Sequence, residues 1–334
     1  MNVERFSLPL TRPLSTAAGT IEERTGFLVR VTVDGTEGVG EATPFAGWTE
    51  PTTACRAALE AVADPAVALA DGTFTDRPAA RHGASLAVLD ARARAAGQPL
   101  YRHLGGPSER GQVPVNATVG DGSESETATA AARAVDDGYP AVKVKVGARP
   151  VSADLDRLSA VRARCPNVEL RADANGAWDR ETAAAALSGF ADHDVAFVEQ
   201  PLPAAELTGH AALREADVGV ALDEGLAEHG IDAVIDADAA DVVVCKPMAL
   251  GGVDVARDVA VRAREAGLGA VVTTTVDGAV ARAGAVHLAA SLPSLPACGL
   301  ATGARLATDL RDAVAPVADG AVAVPQGKGN VPPR

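Results

Sequence analysis

The sequence has almost no lysine: of 30 basic residues in 334, only Lys143, Lys145, Lys246 and Lys328 are lysine, and arginine supplies the rest. It has no apolar run near the ~18–20 residues that a membrane span requires. The opening MNVERFSLPLTRPL carries charges and prolines where a secretory leader has its apolar stretch, so a soluble cytoplasmic protein is expected, with no membrane partner. A basic stripe is also missing. With a formal net charge of −14, little is available to neutralise phosphates, and nucleic acid is excluded as a partner. The four cysteines (Cys55, Cys165, Cys245, Cys298) form no CxxC pair, and the six histidines no HExxH or HxH pair. These gaps argue against disulfide staples and against zinc hydrolysis, and the cysteines read as buried free thiols. No GxGxxG or P-loop follows the first strand of the repeating region described below, which weakens any nucleotide-binding reading.

The shortage of lysine is itself informative. A surface rich in Asp and Glu, with arginine as the cation, resembles proteins of salt-loving organisms, where high salt screens self-repulsion. A chain that has discarded surface lysines is expected to keep them where chemistry demands an ammonium that can lose its proton, which arginine cannot do at neutral pH. Three of the four stand in apolar, strand-like segments.

From about residue 112 to 300 short β-branched runs alternate with alanine-rich helical stretches. The runs are 113–119, 141–146, 168–173, 195–200, 218–224, 241–246, 270–275 and a weaker ACGLAT at 297–302. Eight strands at a spacing of roughly 22–30 residues predict a parallel β/α barrel; an open doubly wound sheet would use five or six of them. Residues 1–45 read as antiparallel strands, and 51–63 and 78–96 as helices. The expected class is thus α/β, a (β/α)7β-type TIM barrel with an α+β cap built from both chain ends. The expected division is a cap over 1–108, a barrel over 109–305 and a tail over 306–334 that returns to the cap.

Active sites of such barrels lie at the carboxyl ends of the strands. Asp173, Glu199 and Asp223 end three consecutive strands, at intervals of 26 and 24 residues. Each alone is equally well an N-cap of the following helix. Three in register, converging on one point and flanked by lysine strands, favour a hard divalent cation, with Mg2+ the default and Mn2+ an alternative. Lys143 and Lys145 are two apart in a strand and share a face, with Val142, Val144 and Val146 on the other. Crowding of the two ammoniums is expected to lower a lysine pKa towards neutrality and so make a base. Lys246 ends the sixth strand, across the barrel from the second, so a bound small-molecule carboxylate would meet an ammonium on each side. That suits removal of a proton next to the carboxylate, where the charge that develops requires electrostatic stabilisation besides a base.

The motifs GVGEATPFAGW, ASLAVLDARARAAGQPLYRHLGG, AVKVKVG, RADANGAWD, FVEQPL, ALDEGL and CKPMALGG together resemble the muconate-lactonizing subgroup of the enolase superfamily over most of the chain. The pairing of a lysine base with Mg2+ in such sites is a general property of that superfamily. The resemblance implies Asp173, Glu199 and Asp223 as metal ligands, Lys145 as general base, Lys143 as its helper and Lys246 as the opposing cation. Asn175 and Glu224 would stand behind them.

The closing GLATGARLATDL and the compact length resemble the o-succinylbenzoate synthases of menaquinone biosynthesis. This implies dehydration of 2-succinyl-6-hydroxy-2,4-cyclohexadiene-1-carboxylate to 2-succinylbenzoate. The same lysine pair also serves 1,1-proton transfer in N-succinylamino acid racemases and dipeptide epimerases, which are the alternative. ACGLATGARL lacks the Asp-x-Asp pair that would bind a dipeptide amine. Asp277 stands where the family often has Glu, and its role is left open. The segment 15–26 is expected to be a flexible loop closing over the barrel mouth, or else an ordinary hairpin connection. Arg24 within it is a candidate for a substrate carboxylate, and Trp48 reads as packing between cap and barrel. A homo-oligomer remains open.

Overall fold

The computed structural model describes residues 1–16, 19–294, 296–312 and 314–332. The chain begins with a long antiparallel hairpin, β1 (Asn2–Thr16) and β2 (Gly19–Val33), to which β3 (Thr36–Ala42) adds a third strand. Phe27, Val29 and Val31 of β2 pair with Ala42, Gly40 and Gly38 and are buried. Helix α3 (Pro78–Ala95) lies directly on this face, packed with α1 (Thr52–Glu60) and α2 (Pro65–Ala70). The two glycines of the GVG motif permit that approach, since a Cβ at Gly38 or Gly40 would stand 2.0 Å from the carbonyl oxygen of Ala87 or Gly83.

A short helix, α4 (Leu100–His103), leads to β4 (Gln112–Pro114) and then to seven parallel strands in sequence order. These are β5 (Asn116–Val119), β6 (Ala141–Lys145), β7 (Glu169–Asp173), β8 (Val195–Glu199), β9 (Gly219–Leu222), β10 (Val242–Cys245) and β11 (Gly269–Val272). Between and after them run α5 (Glu124–Asp136), α6 (Val151–Arg164), α7 (Arg180–Ala191), α8 (Leu207–Leu213), α9 (Glu224–Asp236), α10 (Pro247–Leu250), α11 (Val253–Glu265) and α12 (Ala279–Ser291). Local chemistry sets several starts: Ser123 and Glu126 form a capping box on α5, and the Asp179 carboxylate accepts from Thr182 N on α7. Val142 and Val144 are fully buried under the helices, whereas Phe197, Ala221, Val244 and Val271 make a separate apolar cluster. Arg171 lies 4.9 Å over the Phe197 ring and donates to the Ala297 carbonyl at 2.7 Å.

The eighth strand position is minimal. Cys298 bridges Val115 and Gly299 bridges Thr273, both in parallel sense, so two residues join the free edges of the sheet. The single run expected over 113–119 divides at Val115. Pro114 has no N–H to give a ladder, and β4 pairs instead with β13 (Ala321–Ala323), itself paired with β12 (Val317–Ala318). After a 3-10 turn at Gly303–Arg305 the tail touches β1 through Leu306 and Leu10. It ends against α3, where Asn330 N donates to Asp90 Oδ1 at 2.6 Å and Arg94 donates to the Val331 carbonyl at 2.6 Å. All four cysteines are free and buried. Among the described residues no helix is long and apolar enough to cross a membrane.

Two buried ionisable groups join the layers. Glu41, fully buried at the end of β3, accepts from Gly278 N (2.7 Å), Val280 N (3.1 Å) and Ala281 N (2.9 Å) and so caps α12. Burial and the neighbouring Asp277 push its pKa up to about 7. His287, also fully buried, accepts from Tyr101 N through Nδ1 and donates through Nε2 to the Asn330 carbonyl of the tail. Burial pulls its pKa down to about 4.

Because the folded pKa of His287 is depressed, its contribution to stability is complete above the unfolded value near 6.5 and is lost as pH falls towards 4. Glu41 acts in the opposite sense across the same range, so the informative comparison is between variants at each pH. His287→Gln keeps a donor and an acceptor. Urea unfolding at pH 7 and pH 4 is expected to show the unsubstituted protein losing about 3 kcal/mol more than this variant; equal losses would remove His287 as the cause.

Candidate active site

Alternation along β6 turns Lys143 and Lys145 to one face, and both reach the same acid at the end of the neighbouring strand. Lys143 Nζ lies 2.9 Å from Asp173 Oδ2 and 2.6 Å from Glu199 Oε2. Lys145 Nζ donates to Asp173 Oδ2 and to Asn175 Oδ1, each at 2.6 Å. The two lysines differ in exposure: the Lys145 side chain is 35% accessible and that of Lys143 14%. Lys145 is therefore the one that can meet a substrate. Across the barrel, directly after β10, Lys246 donates to Asp223 Oδ2. Asn175 Nδ2 reaches Glu224 Oε1 at 3.4 Å, so the two clusters are linked.

None of the three acids serves as a side-chain cap. Helix α7 is capped by Asp179, α8 begins after Glu206, and Asp223 precedes α9 without a side-chain capping bond. Burial would raise Asp173, but the ammoniums of Lys143 and Lys145 outweigh it and hold this carboxyl well below the usual range. Glu199 is pushed up to about 7 by burial and by Asp173, and Asp223 up to about 6 by burial, with Glu224 adding to it against Lys246. Lys143 departs from the expectation of a depressed lysine. Burial does disfavour its charge, but Asp173 and Glu199 prevail and hold it above its ordinary value.

The expected convergence of Asp173, Glu199 and Asp223 on one point is not present in the side chains as they stand. Among the described residues no three acid, histidine or cysteine side chains are gathered as a ready ligand set. Each acid is turned to a lysine instead. The donor set nevertheless fits a hard cation. Four buried or half-buried acids (Asp173, Glu199, Asp223, Glu224) face three ammoniums, and Asp223 Oδ1 and Glu224 Oε2 are buried oxygens without a hydrogen-bond partner.

Gln200, which the sequence reading passed over, organises this region. It is fully buried, with a left-handed φ of 45° immediately after β8. Its Oε1 accepts from Asp223 N (3.1 Å) and Gly225 N (3.0 Å), and its Nε2 donates to the Leu202 carbonyl at 2.8 Å. The amide therefore fixes the backbone that carries Asp223. The only local signal was a glutamine beside a strand-end glutamate in FVEQPL.

The segment 15–26 is a hairpin rather than a loop: Ser15 pairs with Thr20 and Leu14 with Ile21, and the strand continues through Gly26. Ala17 and Ala18 lie outside the described residues. Arg24 is not offered to a substrate. It is 4% exposed, donates to the carbonyls of Thr43 (3.0 Å), Pro44 (3.1 Å) and Val276 (3.3 Å), and stacks 4.4 Å over Phe45. Trp48 does more than pack, since the Lys246 ammonium sits 3.6 Å from its ring centroid. Asp277 is buried and accepts from the Thr275 hydroxyl at 2.6 Å.

An eight-position barrel with lysines on opposing strands and acids on the arc between them defines a class. Residues 126–330 match the family model described as Enolase C-terminal domain-like, and the chain belongs to the enolase superfamily. Within it, the chain is 31% identical to an aromatic dipeptide epimerase of Herpetosiphon aurantiacus over 87% of this chain and 85% of that one. It is 41% identical to an o-succinylbenzoate synthase of Thermobifida fusca over 63% of this chain and 66% of that one. Among solved structures, a substrate-liganded L-Ala-D/L-Glu epimerase from Bacillus subtilis superimposes with a TM-score of 0.89 at 27% identity, covering 98% of this chain and 96% of that one.

Proposed function

We propose that this enzyme is an o-succinylbenzoate synthase, dehydrating 2-succinyl-6-hydroxy-2,4-cyclohexadiene-1-carboxylate with Lys145 as base and acid. The observation that carries this reading is the wall formed by β11 and the closing segment. Residues 297–306, ACGLATGARL, contain no carboxylate, and the acid nearby, Asp277, is spent on Thr275. A dipeptide ammonium would find no counter-charge there, whereas a succinyl chain, which ends in a carboxylate of its own, calls for no acid beside it. The higher identity to the synthases agrees.

Asp173, Glu199 and Asp223 would hold Mg2+, or Mn2+, with Asn175 and Glu224 behind them. When bound, that ion supplies positive charge to the substrate carboxylate as its neighbouring C–H bond breaks. Lys145 accepts the proton as the neutral amine, and the electron pair then expels the ring hydroxyl. The same ammonium returns its proton to the departing oxygen, so water leaves and the ring becomes aromatic. Lys143, held charged by Asp173 and Glu199, keeps a fixed cation behind the base. Lys246 faces the delocalised anion from the other side.

Ultraviolet absorbance during incubation of the diene with Mg2+ in high salt tests this directly. Rapid appearance of the aromatic product supports the synthase. A folded, Mg2+-loaded protein that leaves the diene untouched yet exchanges the α-proton of N-succinylamino acids would make it a racemase. That second reading is favoured by the ammonium on each side of the barrel and by the epimerase likeness along nearly the whole chain.

A further inference from the structure

The N-terminal unit contributes one aromatic side chain to the lysine arrangement, and the way it is mounted points to a role. Trp48 sits on a tight turn in which Trp48 N and Thr49 N both donate to the Phe45 carbonyl at 3.0 Å, while Phe45 N donates to the Thr49 hydroxyl at 2.9 Å. Buried charges anchor this turn on both sides. Arg24 clamps its start through the Thr43 and Pro44 carbonyls and ties it to the loop after β11 through Val276. Glu50 fastens its end, accepting from Ala79 N (3.1 Å) and Ala80 N (2.9 Å) at the start of α3. Thr43 N also points at Met248 Sδ at 3.4 Å, in the short helix that follows Lys246. A half-buried indole would not need such a mount for packing alone.

Resting on the catalytic reading above, we propose that Trp48 is a positioning residue whose ring face seats the Lys246 ammonium and fixes its direction over the reacting centre. Lys246 has four rotatable bonds and, among the described residues, one hydrogen-bond partner, Asp223. A single acceptor fixes the distance of an ammonium but not its azimuth. The ring 3.6 Å away supplies the second constraint, since indole is the strongest of the aromatic faces for a cation. The barrel thus holds one lysine by its own strand neighbours, Asp173 and Asn175, and the other partly through a side chain from the N-terminal unit.

The test is a double-mutant cycle with Trp48→Leu, which keeps apolar bulk, Trp48→Phe, which keeps a weaker face, and Lys246→Met. We expect Trp48→Leu to lower kcat about tenfold with KM within about twofold, and Trp48→Phe to fall between it and the unsubstituted enzyme. In the Lys246→Met background Trp48→Leu should have no further effect on the residual rate. A rise in KM at constant kcat, or effects of the two substitutions that multiply, would overturn the proposal and leave Trp48 as substrate wall.

A second readout needs no substrate. The chain has two tryptophans, so the Trp48 contribution to emission is the difference between the unsubstituted protein and Trp48→Phe. Lys246→Met should alter emission when Trp48 is present and not when it is phenylalanine; unchanged emission in both would refute the contact. If the diene is not turned over at all, this arm still decides the proposal, so its failure is separable from failure of the synthase reading.

Discussion

Lys145→Ala is expected to lower kcat by about 10⁴-fold while the protein remains folded and still binds substrate. General-base catalysis by a positioned side chain is worth roughly 10²–10⁴-fold, and in the proposed dehydration one lysine nitrogen acts twice, as amine base and then as ammonium acid, so the upper end is expected. Neighbouring groups offer no substitute. Lys143 shares the Asp173 oxygen, but its pKa is held above the ordinary value and its side chain is the more enclosed. Lys145→Arg should be nearly as damaging, because guanidinium does not give up its proton. Single-turnover absorbance with enzyme in excess measures the chemical step, and circular dichroism checks the fold. Activity within tenfold of the unsubstituted enzyme would remove Lys145 as the base.

Removal of divalent metal is expected to abolish turnover, and added Mg2+ to restore it. The expectation rests on charge: four acids against three ammoniums, with Asp223 Oδ1 and Glu224 Oε2 buried and unpartnered, is an arrangement short of positive charge. Added Mg2+ should also raise the thermal midpoint, and at a hundredfold over its dissociation constant the stabilisation is about 2.7 kcal/mol. Glu199→Gln should lose most of that shift as well as activity. A chelated enzyme at full rate would point instead to Schiff-base chemistry on Lys145 or Lys246, which borohydride trapping with substrate would detect.

Periodicity carried the elements that were legible in advance. The alternation VKVKV predicted both the strand and the shared face of its lysines, and the polar endings of three successive runs placed Asp173 beside Glu199 on adjacent strands and Asp223 directly after the next. Groups defined by partners distant in sequence were not legible. Glu41 meets α12 some 240 residues away, and Asp90 holds Asn330 at a similar separation, so neither leaves a local pattern. The division at Val115 depended on which chain segment arrived to pair with β4, and it was the tail. Arg24 was placed in the right neighbourhood with the wrong partner, because sequence does not count the main-chain carbonyls that a buried guanidinium can satisfy. The charge state of Lys143 was misjudged for a related reason: like-charge crowding was weighed, but two acids at 2.6–2.9 Å were not.

The joint at Cys298 and Gly299 separates two tasks within the barrel. Every barrel side chain assigned to the chemistry lies on β6, β7 or β8, or within two residues after β7, β9 or β10, and none lies on β5, β11 or the joint. Closure there depends on a few main-chain bonds, Cys298 N to the Pro114 carbonyl, Asn116 N to the Cys298 carbonyl and Gly299 N to the Val272 carbonyl, with the Thr273 hydroxyl on Gly299. A clasp of this kind can be lengthened, recharged or reshaped in evolution without moving the arc opposite. Relatives with different substrates could thus inherit one set of reacting groups unchanged and acquire a new selectivity by rewriting the clasp and the residues that follow it.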